Sequence, residues 1–478
     1  MVSNCNTSGL ETYIPSSSNP WNMEKANHLY CRIAFGESVE NINSALQQTP
    51  SNLIDQLFEE AINSPIKDEP PAEYFSLSPL AARRQWTEPL MSDFMTNGFR
   101  QRMMLFWSNH FVTVWEDYRA LSYFASYTRT LQQYSLGNFK EFVRQIGLEG
   151  SMLIYLNGFE NRNTAPNENC ARELYELFTL GEGIGYTEED IQETARALTG
   201  YNDKASALGS PITFNEDTFD SEEKTIFGVT GNWGYDDVID ILFEQKGDLI
   251  AEFIAKKIYM NFVNHELPSD PSIISGLAST FVENDFELEP MLKQLFKSEH
   301  FFDSNAMGVL INSPIEHIFI LHQKANFEDH ALDSTINNRR YYNAITASDQ
   351  ILFSPPDVAG WPGDRTWISS PNFIKTWDLL KAEIAIRYRS KETFRDFIVS
   401  LAGDSDDVEY VVKLMMDWYL PQAILKEQDY QNALDVFKAD VPSVYFEDGT
   451  WSLNYPDVPE QVKLLLDYIV EQPEFYLK

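Results

Sequence analysis

The chain has 478 residues, of which 43% are hydrophobic, so its length suffices for a large buried core. It carries 72 acidic and 36 basic side chains, a formal net charge of -36, and its isoelectric point is near 4.5. A surface of this sign repels phosphate backbones and anionic headgroups, and it therefore disfavours nucleic acid and membrane surfaces as partners. No apolar run approaches the roughly 18 residues of a membrane span, so no membrane insertion is predicted.

The cysteines and the N-terminal residues bear on the compartment. Cys5, Cys31 and Cys170 are too few for a disulfide framework, and no Cys-x-x-Cys pair is present for zinc. Residues 1–20 are rich in Ser, Asn and Pro, which predicts a flexible tail, and they have neither the basic nor the apolar region of a signal peptide. The default expectation is a cytoplasmic protein, with export by another route left open.

Apolar residues recur at helical spacing in most segments from Trp21 onward, whereas strand-like alternation is scarce. The pattern predicts an all-α protein, a multi-helix, bundle-like domain with long loops and at most a small β-hairpin. The predicted helices span residues 99–118, 139–148, 237–262 with a break at Gly247, 270–283, 288–298, 311–323, 343–352, 371–388, 392–402, 407–418 and 459–471. The strand candidates are residues 211–214 and 224–228.

Three segments are predicted to be loops because they are polar or rich in Gly and Pro. They are residues 202–234, 326–340 and 354–363. The first is long for a connection, which makes it either functional or mobile. A composition shift near residue 390 divides the chain into a main helical domain, 21–389, and a C-terminal helical subdomain, 390–478.

One predicted helix carries an unusual set of charges. On a helical wheel Asn169, Arg172, Glu173 and Glu176 fall at i, i+3, i+4 and i+7 on one narrow face. That face is either a solvated stripe of ion pairs, or a buried polar cluster that pairs Arg172 with carboxylates, binds a divalent metal or performs acid–base chemistry. Carboxylate metal sites in helical bundles use Glu-x-x-His pairs, and none follows these glutamates. No metal site and no cofactor is therefore predicted.

Two histidines and two tryptophans are further candidates. His110 lies on an apolar helix face, as either a core histidine or a functional group. His28 precedes Arg32 by one helical turn, so the two either share a polar pocket or form a helix-terminal cap or surface pair. Trp361 and Trp367 lie in a Pro-rich segment that either contacts a sugar or partner protein or forms a rigid plug over the helical core.

The stretch E-N-x-A-R-E-L-x-E-L-x-T-L-G, followed by G-Y-T-E-x-D and A-R-A-L-T-G-Y, resembles the signature of the bacterial domain of unknown function 1800 family. Further elements that resemble this family are Asn27-His28-Leu29 with Phe35-Gly36, Trp107-Ser108-Asn109-His110-Phe111, Ser313-Pro314-Ile315-Glu316 and residues 353–367. Together they cover about 21–385, and Pro473-Glu474-Phe475 is similar to the close of long Bacteroidetes-type members. The resemblance implies an all-helical fold and, by gene neighbourhood, a secreted or sulfatase-like partner, but no established activity.

The chain departs from the family pattern at three places. Phe178 stands where the family usually has His, and Phe219 precedes Asp220 where a His-Asp pair is common. In the opening motif the second Arg remains as Arg32, but the first position is Cys31. If those histidines serve a metal or a proton transfer in relatives, this chain lacks them, which favours a non-catalytic role.

Several common catalytic signatures are also missing from the sequence: G-x-S-x-G, the phosphate-binding G-x-x-x-x-G-K-[ST], H-E-x-x-H and the dinucleotide glycine fingerprint. The leading hypothesis is a helical binding or scaffold protein that acts with a partner in handling cell-envelope or extracellular polymers. The predicted binding residues are His28, Arg32, Glu168, Asn169, Arg172, Trp361 and Trp367. The alternative is a hydrolase in which Glu173 or Glu176 is the general base and His110 the acid.

Both hypotheses require one orientation of the charged helix. The set Glu168, Asn169, Arg172, Glu173 and Glu176, here called the acidic ridge, is expected to face inward. It would then meet His28, Arg32 and His110 in a polar core.

Overall fold

The computed structural model of the protein describes residues 6–327 and 334–478. It confirms the predicted fold class, because most of the described residues are helical and the strands form two small antiparallel pairs. The helices up to residue 200 are α1 Met23–Ile33, α2 Val39–Ala45, α3 Pro50–Asn63, α4 Pro79–Thr87, α5 Leu90–Thr96, α6 Gly98–His110, α7 Trp115–Tyr118, α8 Leu121–Tyr134, α9 Phe139–Ile146, α10 Gly150–Tyr155, α11 Asn169–Glu173 and α12 Glu188–Ala197.

The second half of the chain continues the helical architecture. Its helices are α13 Tyr235–Phe262, α14 Ser272–Glu283, α15 Leu288–Phe296, α16 Pro314–Lys324, α17 Ser334–Ala347, α18 Ser370–Arg387, α19 Lys391–Ala402, α20 Val408–Tyr419, α21 Glu427–Lys438, α22 Val444–Glu447 and α23 Val458–Val470. None of the helices described is both long enough and apolar enough to cross a membrane.

Helix starts follow local capping chemistry. The side chains of Asn22, Ser38, Thr49 and Asn138 each accept a hydrogen bond from a backbone N–H in the first turn of α1, α2, α3 and α9. These oxygens satisfy donors that have no partner inside the helix, and Pro50 adds a residue suited to the first helical position.

Three helix predictions need correction. The helix predicted over 343–352 is instead the end of α17, which stops at Ala347. The predicted helix 99–118 ends at His110, because the backbone turns at Phe111, whose carbonyl accepts a hydrogen bond from the Tyr127 hydroxyl at 2.7 Å. The predicted break at Gly247 is wrong, since α13 runs through it. A β-carbon at Gly247 would lie 2.9 Å from the ring of Phe286, so this glycine permits close packing.

The loops and strands also differ from expectation. Residues 334–340 belong to α17, so the loop predicted over 326–340 is wrong there, and 328–333 lie outside the described residues. The strand candidates do not pair with each other: β2 (Thr213–Phe214) pairs with β1 (Tyr201–Asp203), and β3 (Lys224–Ile226) pairs with β4 (Val229–Gly231). Residues 354–363 form a loop, as predicted.

One buried apolar cluster runs through most of the described chain, from Tyr13 to Phe475. Tyr13 is buried, and its backbone N–H donates to the Lys297 carbonyl at 2.7 Å, so this part of the predicted tail packs on the helices. In the C-terminal region α23 packs against α18, α19 and α21. The division at residue 390 stays a prediction.

Candidate functional site

A cavity of about 540 Å³ lies between α6, α13, the loop that ends at Trp367 and the residues that lead into α16. Here it is called the pocket. Its volume falls in the range of about 300–1,000 Å³ that is typical of ligand sites. Phe106 and Phe253 contribute apolar wall, and His265, whose side chain is 41% exposed, lies at the mouth. The pocket is therefore of ligand size and open to solvent.

The Pro-rich loop is fastened to α6 through one side chain. The Asn109 amide donates to the Trp361 carbonyl at 3.1 Å, and the Trp361 backbone N–H donates to the Asn109 side-chain oxygen at 2.7 Å. Gly360 has φ +88°, and a β-carbon there would lie 2.5 Å from that oxygen. Only glycine fits this approach without strain, so Asn109 and Gly360 together fix the loop that brings Trp361 and Trp367 to the pocket.

The floor of the pocket is a buried ion cluster. The Glu316 carboxylate is bound by the Arg102 guanidinium and the Lys478 ammonium, and it also accepts the Ser313 backbone N–H at 2.6 Å. Residues 309–312 bond to the backbone of 476–478, and this pairing places Lys478 there. Two cations thus share one carboxylate.

This arrangement shifts the pKa of both Glu316 and Lys478. Burial raises the pKa of Glu316 on its own, but the Arg102 and Lys478 charges outweigh it, and the pKa lies well below its usual value. Burial, followed by repulsion from Arg102, lowers the pKa of Lys478 to about 7. The floor therefore carries an excess of positive charge that an anion would offset.

One wall of the pocket presents a second basic group. Lys257 is half-buried on α13, and its Nζ lies 5.0 Å from the ring of Phe253. His110 also lines the wall, and its Nε2–H donates a hydrogen bond to the Phe178 carbonyl at 3.0 Å. Burial and then the Lys257 charge lower the pKa of His110 well below its usual value, so the imidazole is neutral.

The charge balance of the lining is opposite to that of the whole protein. Four lysine or arginine side chains and two carboxylates line the pocket, whereas the chain has a net charge of -36. The lining charges are Arg102, Lys256, Lys257, Lys478, Glu316 and Asp364. A positive pocket in an acidic protein attracts anions against the repulsion of the surface.

The acidic ridge lies elsewhere. The Arg172 guanidinium pairs with Glu168 at 3.2 Å, Glu176 at 3.3 Å and Glu188 of α12 at 2.7 Å. The Arg172, Glu168 and Glu176 side chains are 32%, 40% and 21% exposed, so the expectation that the ridge faces inward is wrong for them. These charges are satisfied at the surface, where an ion-pair network requires little desolvation.

Local backbone geometry explains this orientation. After α11 the chain forms a wider π-helical turn over Leu174–Thr179, in which the Leu180 N–H reaches the Tyr175 carbonyl, five residues back. Ala171, Tyr175 and Phe178 carry the buried side of this segment. The apolar stripe sets the orientation of the helix and leaves the charges on the outer side.

The other two ridge residues have their own surroundings. The Asn169 amide donates to the Leu156 carbonyl at 3.0 Å. Glu173 is half-buried, and burial followed by the Glu176 charge raises its pKa. Within the described residues, no member of the ridge lines the pocket to which His110 belongs.

Arg32 and His28 are buried, and both are engaged by backbone carbonyls. The Arg32 guanidinium donates to four of them, those of Phe262, Val263, Ala306 and Lys478, at 2.5–3.0 Å. The His28 Nε2–H donates to the Phe301 carbonyl at 3.0 Å. Arg32 and His28 thus join distant segments behind the floor of the pocket.

The structure brings three predicted site residues to the pocket: His110, Trp361 and Trp367. The prediction missed Arg102, Lys257, Asn261, Glu316 and Lys478. Glu316 stands in a motif that resembles the family, which is a usable signal. Lys257 and Asn261 follow Phe253 at i+4 and i+8, so these polar side chains lie on the same helix stripe as an aromatic residue. That spacing is the second signal by which the sequence could have indicated the pocket.

A metal ion requires a particular arrangement of ligand side chains. In the described part of the chain, no three His, Cys, Asp or Glu side chains gather as metal ligands would. The free thiols described, Cys31 and Cys170, are separate from the pocket. What the pocket offers is positive charge, ring faces and a neutral imidazole.

Fold and pocket define a mainly helical protein with a basic, aromatic-lined cavity. Residues 28–477 match the family described as protein of unknown function (DUF1800), so the chain belongs to this family. No curated protein and no solved structure matches the chain.

Proposed function

We propose that the protein is a helical binding protein whose ligand occupies the pocket, and that it acts with a partner in handling cell-envelope or extracellular polymers. The observation that carries the proposal is that segments far apart in the sequence meet around one pocket. Three separate segments that resemble the family motifs supply Asn109 and His110, Ser313 and Glu316, and Trp361 to one pocket lining. A stabilising role alone does not require such segments to surround an open space of ligand size.

Phe178 favours binding over catalysis. It stands where the family usually has His, and its ring centroid lies 6.0 Å from that of His110. A histidine pair at this place could share a metal or a proton, whereas phenylalanine offers neither a ligand atom nor a titrating group. The remaining imidazole is neutral and held by a carbonyl, which suits recognition.

The experiment is a binding survey of cell-envelope and matrix polysaccharide fragments by isothermal titration calorimetry. We expect at least one fragment to bind, and Trp367→Ala to weaken its binding at least tenfold, because the half-buried indole lines the pocket. Trp233→Ala is the matched control, since Trp233 is equally half-buried but outside the pocket. Equal losses in both variants, or no binding by any fragment, would overturn the proposal.

The hydrolase alternative stays a hypothesis with one supporting observation. Glu173 is half-buried and burial raises its pKa, which brings the carboxylate closer to the range in which a general base works at neutral pH. Against it, neither Glu173 nor Glu176 lines the pocket, and the His110 Nε2 proton is donated to the Phe178 carbonyl. If this reading holds, the protein cleaves one of the surveyed fragments and Glu173→Gln abolishes the cleavage without lowering the melting temperature.

A further inference from the structure

The pocket contains a cation without a counterion. Lys256 is bound to Glu252 at 2.5 Å, but Lys257, the next residue, has no carboxylate within ion-pair distance among the described residues. Its surroundings are apolar, including the ring of Phe253, and burial lowers its pKa to about 8. An unpaired ammonium in such a place lowers stability, and an anionic group on a ligand would offset that cost.

The pocket also contains an acceptor without a donor. Because the proton of neutral His110 is on Nε2, its Nδ1 carries a lone pair. The His110 residue is only 4% exposed, and no donor from the described part of the chain reaches Nδ1. A buried acceptor of this kind is suited to a ligand hydroxyl, which would donate to it.

A third group needs an acceptor. Asn261 lies one helical turn beyond Lys257, and its side-chain Nδ2 is shielded from solvent without a hydrogen-bond partner among the described residues. Lys257 and Asn261 therefore present an ammonium and an amide donor from one stripe of α13. An oxyanion with two or more oxygens would satisfy both groups.

Ring faces complete the recognition surface. Trp361 and Trp367 are half-buried at the pocket, which leaves part of each indole available to a ligand. The carboxylate of Asp364, beside them, is an acceptor for further hydroxyls. Flat aromatic surface next to several single hydrogen-bonding groups is suited to a ring that bears many hydroxyls.

We infer that the ligand is a saccharide with an anionic substituent, whose carboxylate or sulfate contacts Lys257 and Asn261 while a hydroxyl donates to His110 Nδ1 and a ring face lies on a tryptophan. This inference rests on the proposed function and names the chemical class of its ligand. Carboxylated and sulfated saccharides both carry the anionic group that the inference requires, and the experiment below distinguishes between them.

The probes are oligogalacturonate, oligoalginate, and chondroitin sulfate and dextran sulfate oligosaccharides, each titrated beside its carboxyl-reduced or desulfated counterpart. We expect at least one acidic probe to bind at least tenfold tighter than its neutral counterpart. Loss of binding on carboxyl reduction identifies a uronate site, and loss on desulfation identifies a sulfate site.

Lys257→Met tests the assignment of the anion. We expect it to remove the advantage of the acidic probe and to leave the affinity of the neutral counterpart within about threefold, because only the charge contact is lost. Lys256→Met is the matched neighbour, and its effect should be smaller because Lys256 already has Glu252 as a partner.

The outcomes separate the two proposals. If neutral counterparts bind as tightly as the acids and Trp367→Ala abolishes both, the pocket binds saccharides and the present inference is wrong. If ADP binds in the pocket and displaces every saccharide, the inference is also wrong, because the anion is then a phosphate on a different class of ligand. If no saccharide binds in a Trp367-dependent way, both proposals fail.

Discussion

The acidic ridge and the pocket both combine basic side chains with glutamates, yet their charges are balanced in opposite ways. On the ridge one guanidinium has three carboxylate partners near solvent. At the pocket floor one carboxylate is paired with two buried basic side chains. Lys257 on the wall has no carboxylate partner among the described residues. In this protein, unsatisfied charge, and not the number of charged residues, distinguishes the pocket from the surface ion-pair network.

The largest expected effect comes from removing the carboxylate of the floor. Glu316→Gln leaves the Arg102 guanidinium buried without its carboxylate and removes the charge that helps to keep Lys478 protonated, and we expect the free energy of unfolding to fall by about 3–5 kcal/mol. Urea denaturation followed by circular dichroism measures it. Glu176→Gln on the ridge is the matched control, with a loss below about 1 kcal/mol. Equal losses would erase the contrast between the two regions.

The next effect concerns the attachment of the Pro-rich loop. Gly360→Ala places a β-carbon against Asn109 at a positive φ, so we expect a loss of about 2 kcal/mol and weaker ligand binding. Gly363→Ala is the control, because Gly363 also has a positive φ but no atom within 4 Å of the added carbon, and its loss should be about 1 kcal/mol. A Gly360→Ala protein as stable as the control would show that the Asn109 contact does not hold the loop.

The pH dependence of stability tests the floor in another way. The pKa of Lys478 is about 7 in the folded protein, whereas in the unfolded chain it has its ordinary value of 10.5. Between these two pH values the unfolded chain therefore binds more protons than the folded protein. The free energy of unfolding should therefore rise with pH, by about 2 kcal/mol between pH 7 and 9. Glu316, Arg102 and Arg32 are the charged groups that act on Lys478.

Comparing variants isolates this contribution. The rise should be smaller in Lys478→Met and unchanged in Arg172→Met, which alters only the ridge. The comparison also cancels the contribution of the tyrosines, which begin to ionise in the unfolded chain near pH 9 and do so equally in the wild type and both variants. A rise that is the same in both variants would assign the pH dependence to other groups.

The smallest expected effect is on the ridge itself. Arg172→Met removes three surface ion pairs, and we expect a change in the free energy of unfolding below about 1 kcal/mol and no change in ligand affinity. A loss of several kcal/mol, or a loss of binding, would return the functional role to the ridge.

The sequence predicted the helical class because apolar periodicity reports which side of each helix is buried. It did not predict where Arg172 points, since i,i+4 spacing is the same for a buried and an exposed stripe. His110, Trp361 and Trp367 were predictable from motifs. Lys257 could have been singled out as a lysine on an apolar helix stripe, but its lack of a carboxylate partner was not predictable. Like the carboxylate that Lys478 shares, it arises only when segments far apart in the chain meet.

The most direct test of the central claim measures stability and affinity on one variant. Lys257→Met removes an unpaired, half-buried cation, so we predict a gain of roughly 1 kcal/mol in the free energy of unfolding at pH 7, together with loss of preferential binding to acidic saccharides. A group kept for function at the expense of stability behaves in this way. A Lys257→Met protein that is less stable and binds acidic saccharides as tightly as the wild type would contradict the account.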